Sequence, residues 1–294
     1  GVGLTQGVEK AGGKVHLCDG KFQPPVIAGC LKSAAEQGAD AVVSAFVDYA
    51  MLPTAFDAVV GKGIPVLVGG VAPSGGKQSD AKLAFYDPTS RTKAIFSTIS
   101  KAALAEQGES TNVLWVRLLD SSTTTSSSDE GVATFKSACS TCKVATVDMT
   151  TANLGKVGSA VSAALVSHPD TNALIVPIDT FVPAAVAGVK SAGYASKVKV
   201  YSSSGDLAGL QRVKAGEQAA DVGTSPIATG WGFAHALMQQ LTGETVTPDS
   251  GASMRVFTKD NVGDAELTPD AYLTPAWYGD DSFKQQYADA WGVK

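Results

Sequence analysis

Charge is scarce in this 294-residue chain. Asp, Glu, Lys and Arg make up 17% of it, the net charge is −5, and the four arginines (Arg91, Arg117, Arg212, Arg255) are scattered. No basic stripe is offered to a nucleic-acid backbone or an anionic lipid surface, which argues against polyanion partners. Histidine is rarer still: His16, His168 and His235 are far apart, and a tetrahedral metal site needs four convergent ligands, so no metal is expected. No apolar run approaches the roughly 20 residues that span a bilayer. No signal-peptide pattern opens the chain, which leaves a soluble mature form or one whose export signal has been removed.

Catalytic signatures are also wanting. A Gly-x-Ser-x-Gly elbow occurs nowhere, so an α/β-hydrolase would have no nucleophile of the usual form. The stretch ending at Lys77 imitates a phosphate loop, but Val71 stands where that motif needs glycine and Gln78 follows the lysine. Gly1-x-Gly3-x-x-x-Gly7, followed by a strand ending at Asp19, imitates a dinucleotide fingerprint with its ribose-binding acid. The interval to the acid is short for that unit, and nothing downstream supplies a hydride-transfer pair. No cofactor is expected.

The four cysteines fall as two local pairs, Cys18 with Cys30 and Cys139 with Cys142. Four cysteines allow three connectivities. Cross-pairing would tie separate halves together, so the local pairs are preferred, and they imply an oxidising compartment. Cys139-Ser-Thr-Cys142 could instead be a redox motif or half of a zinc site, whose other half is lacking.

What the chain does contain is a cadence. Small-residue helices end on glycine and are followed by short Val/Ile/Leu runs, as at Gly38 into Ala41-Val42-Val43 and Gly63 into Ile64-Pro65-Val66-Leu67-Val68. Such runs read as parallel strands covered on both faces, with ligands outside their carboxyl ends. Core strands are expected over 14–18, 40–45, 64–69, 113–119, 143–148, 172–178 and 197–203, with a last one over 254–257. The break near residue 110 gives two sheets, and the length and 44% apolar content suffice for two cores. Val2, Leu4 and Val8, closed by Gly12-Gly13, read as the end of a helix, so a strand is expected ahead of residue 1. Residues 69–79 read as a flexible loop, and 121–128 as a Ser/Thr run ahead of a helix near Asp129 that either lines a pocket or is solvated linker. The tail from Tyr272, with Trp277, Tyr278, Phe283, Tyr287 and Trp291, reads as a packing clasp.

Gln37-Gly38-Ala39-Asp40-Ala41-Val42-Val43, Lys62-Gly63-Ile64-Pro65-Val66, His168-Pro169-Asp170-Thr171-Asn172-Ala173-Leu174-Ile175, Lys190-Ser191-Ala192-Gly193 and Thr258-Lys259-Asp260-Asn261-Val262 follow in this order over essentially the whole chain. In them the sequence resembles the sugar-binding branch of the type I periplasmic, or extracellular, solute-binding proteins of ABC transporters. The resemblance implies an α/β fold of two Rossmann-like lobes with parallel sheets and a three-crossing hinge, closing on a small ligand. It implies a first lobe of 1–110 plus 225–253, a second of 111–224 plus 254–294, and crossings near Ser110, Thr224 and Ser253. The candidate ligand shell is Asp48, Tyr49, Tyr86 and Asp87 in the first lobe, and Asp120, Ser128, Asp129, Asp179, Phe181, Ser203, Ser204 and the hinge residue Thr224 in the second. Carboxylates would accept hydrogen bonds from a polyol and aromatic faces would cover its C–H surface; for each carboxylate a helix N-cap is the competing role. Departures matter too: Ser126-Ser127-Ser128 stands where the family carries an arginine, and Ser202-Ser203-Ser204 where it carries an acid. They cast doubt on a plain pentose or hexose and favour a larger polyol, a less polar ring or a cation. The implied partners are that ligand and a transporter permease, with no nucleic acid, no enzymatic activity and a monomeric state, in an extracytoplasmic location that is periplasmic or on a cell-surface lipoprotein. The effector core of a LacI-type regulator shares the fold and is the alternative.

Overall fold

Continuous apolar runs do form strands buried on both faces, and they assemble into two sheets. The computed structural model describes residues 1–21, 23–249, 253–274 and 276–293. In the first sheet, β1 (Val42–Ala45), β2 (Val66–Gly69) and β3 (Leu83–Tyr86) lie parallel in that order. The second comprises β4 (Asn112–Leu118), β5 (Lys143–Met149), β6 (Ala173–Val176), β7 (Lys199–Ser204), β8 (Ala220–Thr224) and β9 (Met254–Thr258). Their order is β5-β4-β6-β7-β8-β9, parallel except for β9, which runs antiparallel to β8.

Side chains alternate across each strand, so each sheet feeds two cores. In β4, Val113 and Trp115 pack with Phe96, Ile99 and Phe135 from α4 (Thr89–Gln107) and α5 (Ser122–Ala138). Leu114, Val116 and Leu118 point the other way, onto Val157, Val161 and Leu165 of α6 (Val157–Ser167) and Val182 and Val189 of α7 (Val182–Ser191). In the first sheet, Val66, Val68, Leu83 and Phe85 meet α2 (Pro24–Glu36) and α3 (Pro53–Gly61). Leu67, Ala84 and Tyr86 meet α1 (Val2–Lys10) and α9 (Pro226–Thr242). Each fully buried Leu, Val or Phe contributes about 1.5–3 kcal/mol. A last cluster joins α8 (Leu207–Ala215) to Phe257, Val262, Trp277 and Tyr278. Between α10 (Pro269–Tyr272) and the chain end, α11 (Ser282–Ala290) returns to α9, where Trp291 stacks on Trp231 and Tyr287 on His235. The tail therefore packs on both sheet systems.

The glycines of the dinucleotide imitation have a different use. Gly3 and Gly7 lie within α1, against α9: a Cβ on Gly7 would come 2.6 Å from the Ala234 Cβ, and one on Gly230 would come 2.7 Å from the Gly3 Cα. Two helix backbones touch here. Gly230→Ala should lower stability by about 1 kcal/mol, because overpacking outweighs alanine's better helix propensity; an unchanged or raised urea midpoint would show that α1 can shift aside.

Residues 14–18 are not a strand. An extended segment needs a ladder partner, and among the described residues none engages them. Conversely, β3 and β8 were not expected. The second carries Asp221 and Gly223, poor strand formers, and is held by pairing on both sides. The run over 121–128 is helix rather than loop: Ser121 caps α5 by accepting from the Thr124 N–H, and the Thr124 side chain accepts from the Ser121 N–H in a capping box. The Cys18 and Cys30 sulfurs lie 1.99 Å apart and those of Cys139 and Cys142 1.98 Å apart, so the cysteines pair locally.

Candidate functional site

Parallel strands expose their carboxyl ends along one edge, and the loops there are the place for a ligand. Along the first sheet, Asp48 caps the short turn Tyr49–Met51 by accepting from the Ala50 N–H at 2.8 Å, and also accepts from the Ser74 hydroxyl. Tyr49 is buried and donates to Asp57 at 2.9 Å, with Lys77 over its ring. Tyr86 turns into α9, where its hydroxyl occupies the space a Cβ on Gly232 would need; burial, with Asp249 nearby, pushes its phenol up. Asp87 accepts from the N–H and hydroxyl of Thr89, at 2.8 and 2.5 Å.

Along the second sheet, Asp120 follows β4 and accepts from the Thr151 N–H and hydroxyl, at 2.9 and 2.7 Å. Ser128 is buried and its Oγ accepts from the Leu118 N–H. Asp129 faces outward into an ion pair with Arg117 at 2.7 Å, and Phe181 is a core residue with no exposed surface. Ser203 is buried and donates to the Pro177 carbonyl at 2.6 Å, whereas Ser204 is exposed at the end of β7 with φ 128°. Thr224 is half-buried at the end of β8. Asp179 accepts from Ser202 and from the Asp206 N–H, and lies 3.5 Å from the Arg212 guanidinium. Asp221 is its buried neighbour: a Cβ on Gly209 would strike the Oδ2 atoms of both. Desolvation raises both carboxyls, Asp221 well above the ordinary range, with the Asp179 charge adding to it.

The two edges meet. The Ala72 N–H, in the loop after β2, donates to Thr123 Oγ1 on α5 at 2.8 Å, and Thr89 Oγ1 lies 3.3 Å from the same oxygen. Behind them the connecting segments are bound to one another: Arg91 in α4 forms a 2.6 Å ion pair with Asp249 and donates to Thr229 in α9 at 3.1 Å, while the Asp249 N–H donates to the Asp87 carbonyl at 3.1 Å. Both charged side chains are at least nine-tenths buried.

Two largely parallel sheets, whose carboxyl edges meet through Thr123, therefore form the candidate site. A family model described as a periplasmic binding protein domain matches residues 2–245. The chain belongs to the periplasmic binding protein family. A search of the curated proteins found no match. Among solved structures, this periplasmic binding protein domain is similar to the 5-methylthioribose transporter solute-binding protein of Thermotoga lettingae, with 17% identity, a TM-score of 0.72 and coverage of 98% of this chain and 92% of that one. It is similar to the myo-inositol-binding protein of Caulobacter, with 22% identity, a TM-score of 0.71 and coverage of 90% and 89%. An ABC transporter solute-binding protein from Agrobacterium vitis bound to α-D-tagatopyranose gives 17%, 0.74, and 95% and 94%. These likenesses establish a shared fold.

Within this binding-protein fold the sequence reading passed over three residues. Arg91 was one of four scattered arginines, and its place at the connections depends on Asp249, far away in the chain. Thr123 lay inside a run weighed as pocket lining against solvated linker, with no single residue of 121–127 singled out. Phe46 follows β1 directly and is 59% exposed, with φ 60°; a large aromatic just past a strand end, opposite Gly69-Gly70, was the available signal.

Proposed function

We propose that this chain is the extracytoplasmic receptor of an ABC importer, binding a small sugar-like or polyol ligand between two lobes and presenting it to a membrane permease. The observation that carries the reading is the pair of facing carboxyl edges, bridged by Thr123 and backed by the Arg91–Asp249 connection. The similar structures, named for binding 5-methylthioribose, myo-inositol and tagatopyranose, support the ligand class. The two cysteine pairs support a periplasmic or cell-surface location and count against the cytoplasmic LacI-type alternative. The protein acts as a monomer and binds without catalysing.

The lobes follow the packing. Helix α4 lies on α5, β7 and β8, and α9 on β2, β3 and α1. On this reading α4 moves with the second lobe, which puts the first crossing at Asp87-Pro88, with the others near Thr224 and Ser253. The reading assigns ligand contact first to Asp48, Asp87, Asp120, Ser204 and Thr224, which lie at the strand ends; Tyr49, Tyr86, Ser128, Asp179, Phe181 and Ser203 are buried and Asp129 pairs with Arg117.

A ligand present at 100 times its dissociation constant adds about 2.7 kcal/mol of stability. A thermal-shift screen of sugars, polyols and substituted pentoses should therefore find at least one compound that raises the unfolding temperature. A screen in which none does so would overturn the receptor reading.

A further inference from the structure

The carboxylates expected to hold polyol hydroxyls are already engaged by their own surroundings, Asp48 and Asp87 through one oxygen each. Asp48 binds Ala50 and Ser74, Asp87 binds Thr89, Asp120 binds Thr151, and Asp179 is buried with Asp221. What the end of β1 presents is a phenyl ring. Phe46 is a bulky residue in the left-handed region, a conformation that persists only where the surroundings over-determine it. Here the surroundings are visible: its N–H donates to the Gly69 carbonyl at 2.7 Å, its ring takes the space a Cβ on Gly70 would need, at 2.5 Å, and it rests on Phe233, 5.6 Å between centroids. Phe233 is braced edge-on by Tyr86. The ring is held in place on one side yet remains 59% exposed. On the second sheet Leu119 follows β4 directly and Ile178 lies two residues past β6, both half-buried and apolar, beyond the ends of neighbouring strands.

We propose that the ligand carries an apolar edge: a neutral monosaccharide in which one hydroxyl is replaced by hydrogen or an alkylthio group, with Phe46 as the residue that selects it. This rests on the solute-receptor reading and narrows it. A hydroxyl set against the phenyl face would lose water without gaining a partner, whereas a methyl or methylthio group gains contact there.

Matched pairs test this by calorimetry: 5-methylthioribose against ribose, and D-fucose against D-galactose, with myo-inositol as a fully hydroxylated reference. In at least one pair, the member lacking the hydroxyl should bind about tenfold or more tightly. Phe46→Asn, which tolerates the left-handed backbone, should bring that pair to near equality, and Phe46→Tyr should retain most of the preference. Binding in which the fully hydroxylated compounds equal or exceed their partners, or a preference untouched by Phe46→Asn, overturns the inference while leaving the receptor reading intact. No binding by any of the five compounds overturns the inference, and the receptor reading falls with it only if the wider thermal-shift screen also finds no ligand.

Discussion

Arg91→Met should destabilise the folded chain by about 3–5 kcal/mol, the usual cost of leaving one member of a buried ion pair behind. The partner is Asp249, 2.6 Å away, and each side chain is less than a tenth exposed. Methionine fills much of the arginine volume, so the loss comes from removing the cation beside Asp249 and from the Thr229 hydrogen bond rather than from a cavity. Arg91→Lys should lose less, because it keeps the charge and forfeits only the two-pronged geometry. Denaturant unfolding measures both, and an Arg91→Met loss below about 1 kcal/mol would show that Asp249 is compensated without the guanidinium. Because the pair fastens the connecting segments together, the same variant should also change how far the lobes part in the absence of ligand, seen as a larger radius of gyration in solution scattering.

The second large effect has the opposite sign and depends on pH. Asp221 is enclosed beneath α8, its Oδ1 accepting from the Gly205 N–H at 3.0 Å, with Asp179 beside it and Asp206, Arg212, Tyr272 and Tyr278 around the pair. Burial raises both carboxyls. An acid whose folded pKa lies above its unfolded value of 3.8 contributes its full stability below that value and loses it as pH rises through the folded one. Stability should therefore decline with rising pH above about 4 on account of this pair. Asparagine at 221 keeps an acceptor for Gly205 and offers Asp179 a permanent N–H in place of a shared proton. Asp221→Asn should match the parent near pH 4 and exceed it by about 1–3 kcal/mol at pH 8, the size of an unmade buried polar partnership. Urea melts at the two pH values decide it; a variant weaker than the parent at pH 8 would mean that the carboxylate is needed as an anion, through Arg212.

The legible parts of this molecule were those set by local pattern. Runs such as Val113 to Val116 and Ala173 to Val176 are buried on both faces, so nothing in them needs a distant partner to be read as strand. The local cysteine pairs were legible for a similar reason. Residues 14–18 misled because alternation of the right kind does not make a strand without a neighbour, and β8 was hidden because its place is set by β7 and β9 rather than by its own composition. The site was less readable than the fold. A carboxylate after a strand serves equally as a ligand group and as a cap, and Asp48 and Asp87 each cap their own turn through one oxygen. Asp129 follows from helix phase: α5 starts at Ser122, which turns that residue out toward Arg117. Arg91 and Phe46 depended on Asp249 and Gly70, contacts that no short window contains.

The pairing of α1 with α9 has a bearing on how the chain acquires its shape. Gln6 accepts a hydrogen bond from Trp231, 225 residues further on, and the first sheet cannot bury Leu67 and Ala84 until α9 arrives. The six-stranded system draws α4 through β8 from one uninterrupted stretch, so most of its contacts form as soon as that stretch is available. The order of assembly is then set by topology: the inner segment condenses first, and the two ends, which enter and leave the same lobe, join last and most slowly, because closing so long a loop is the expensive step. Until α9 arrives the apolar face of β2 and β3 has no cover, and uncovered surface of that kind promotes self-association.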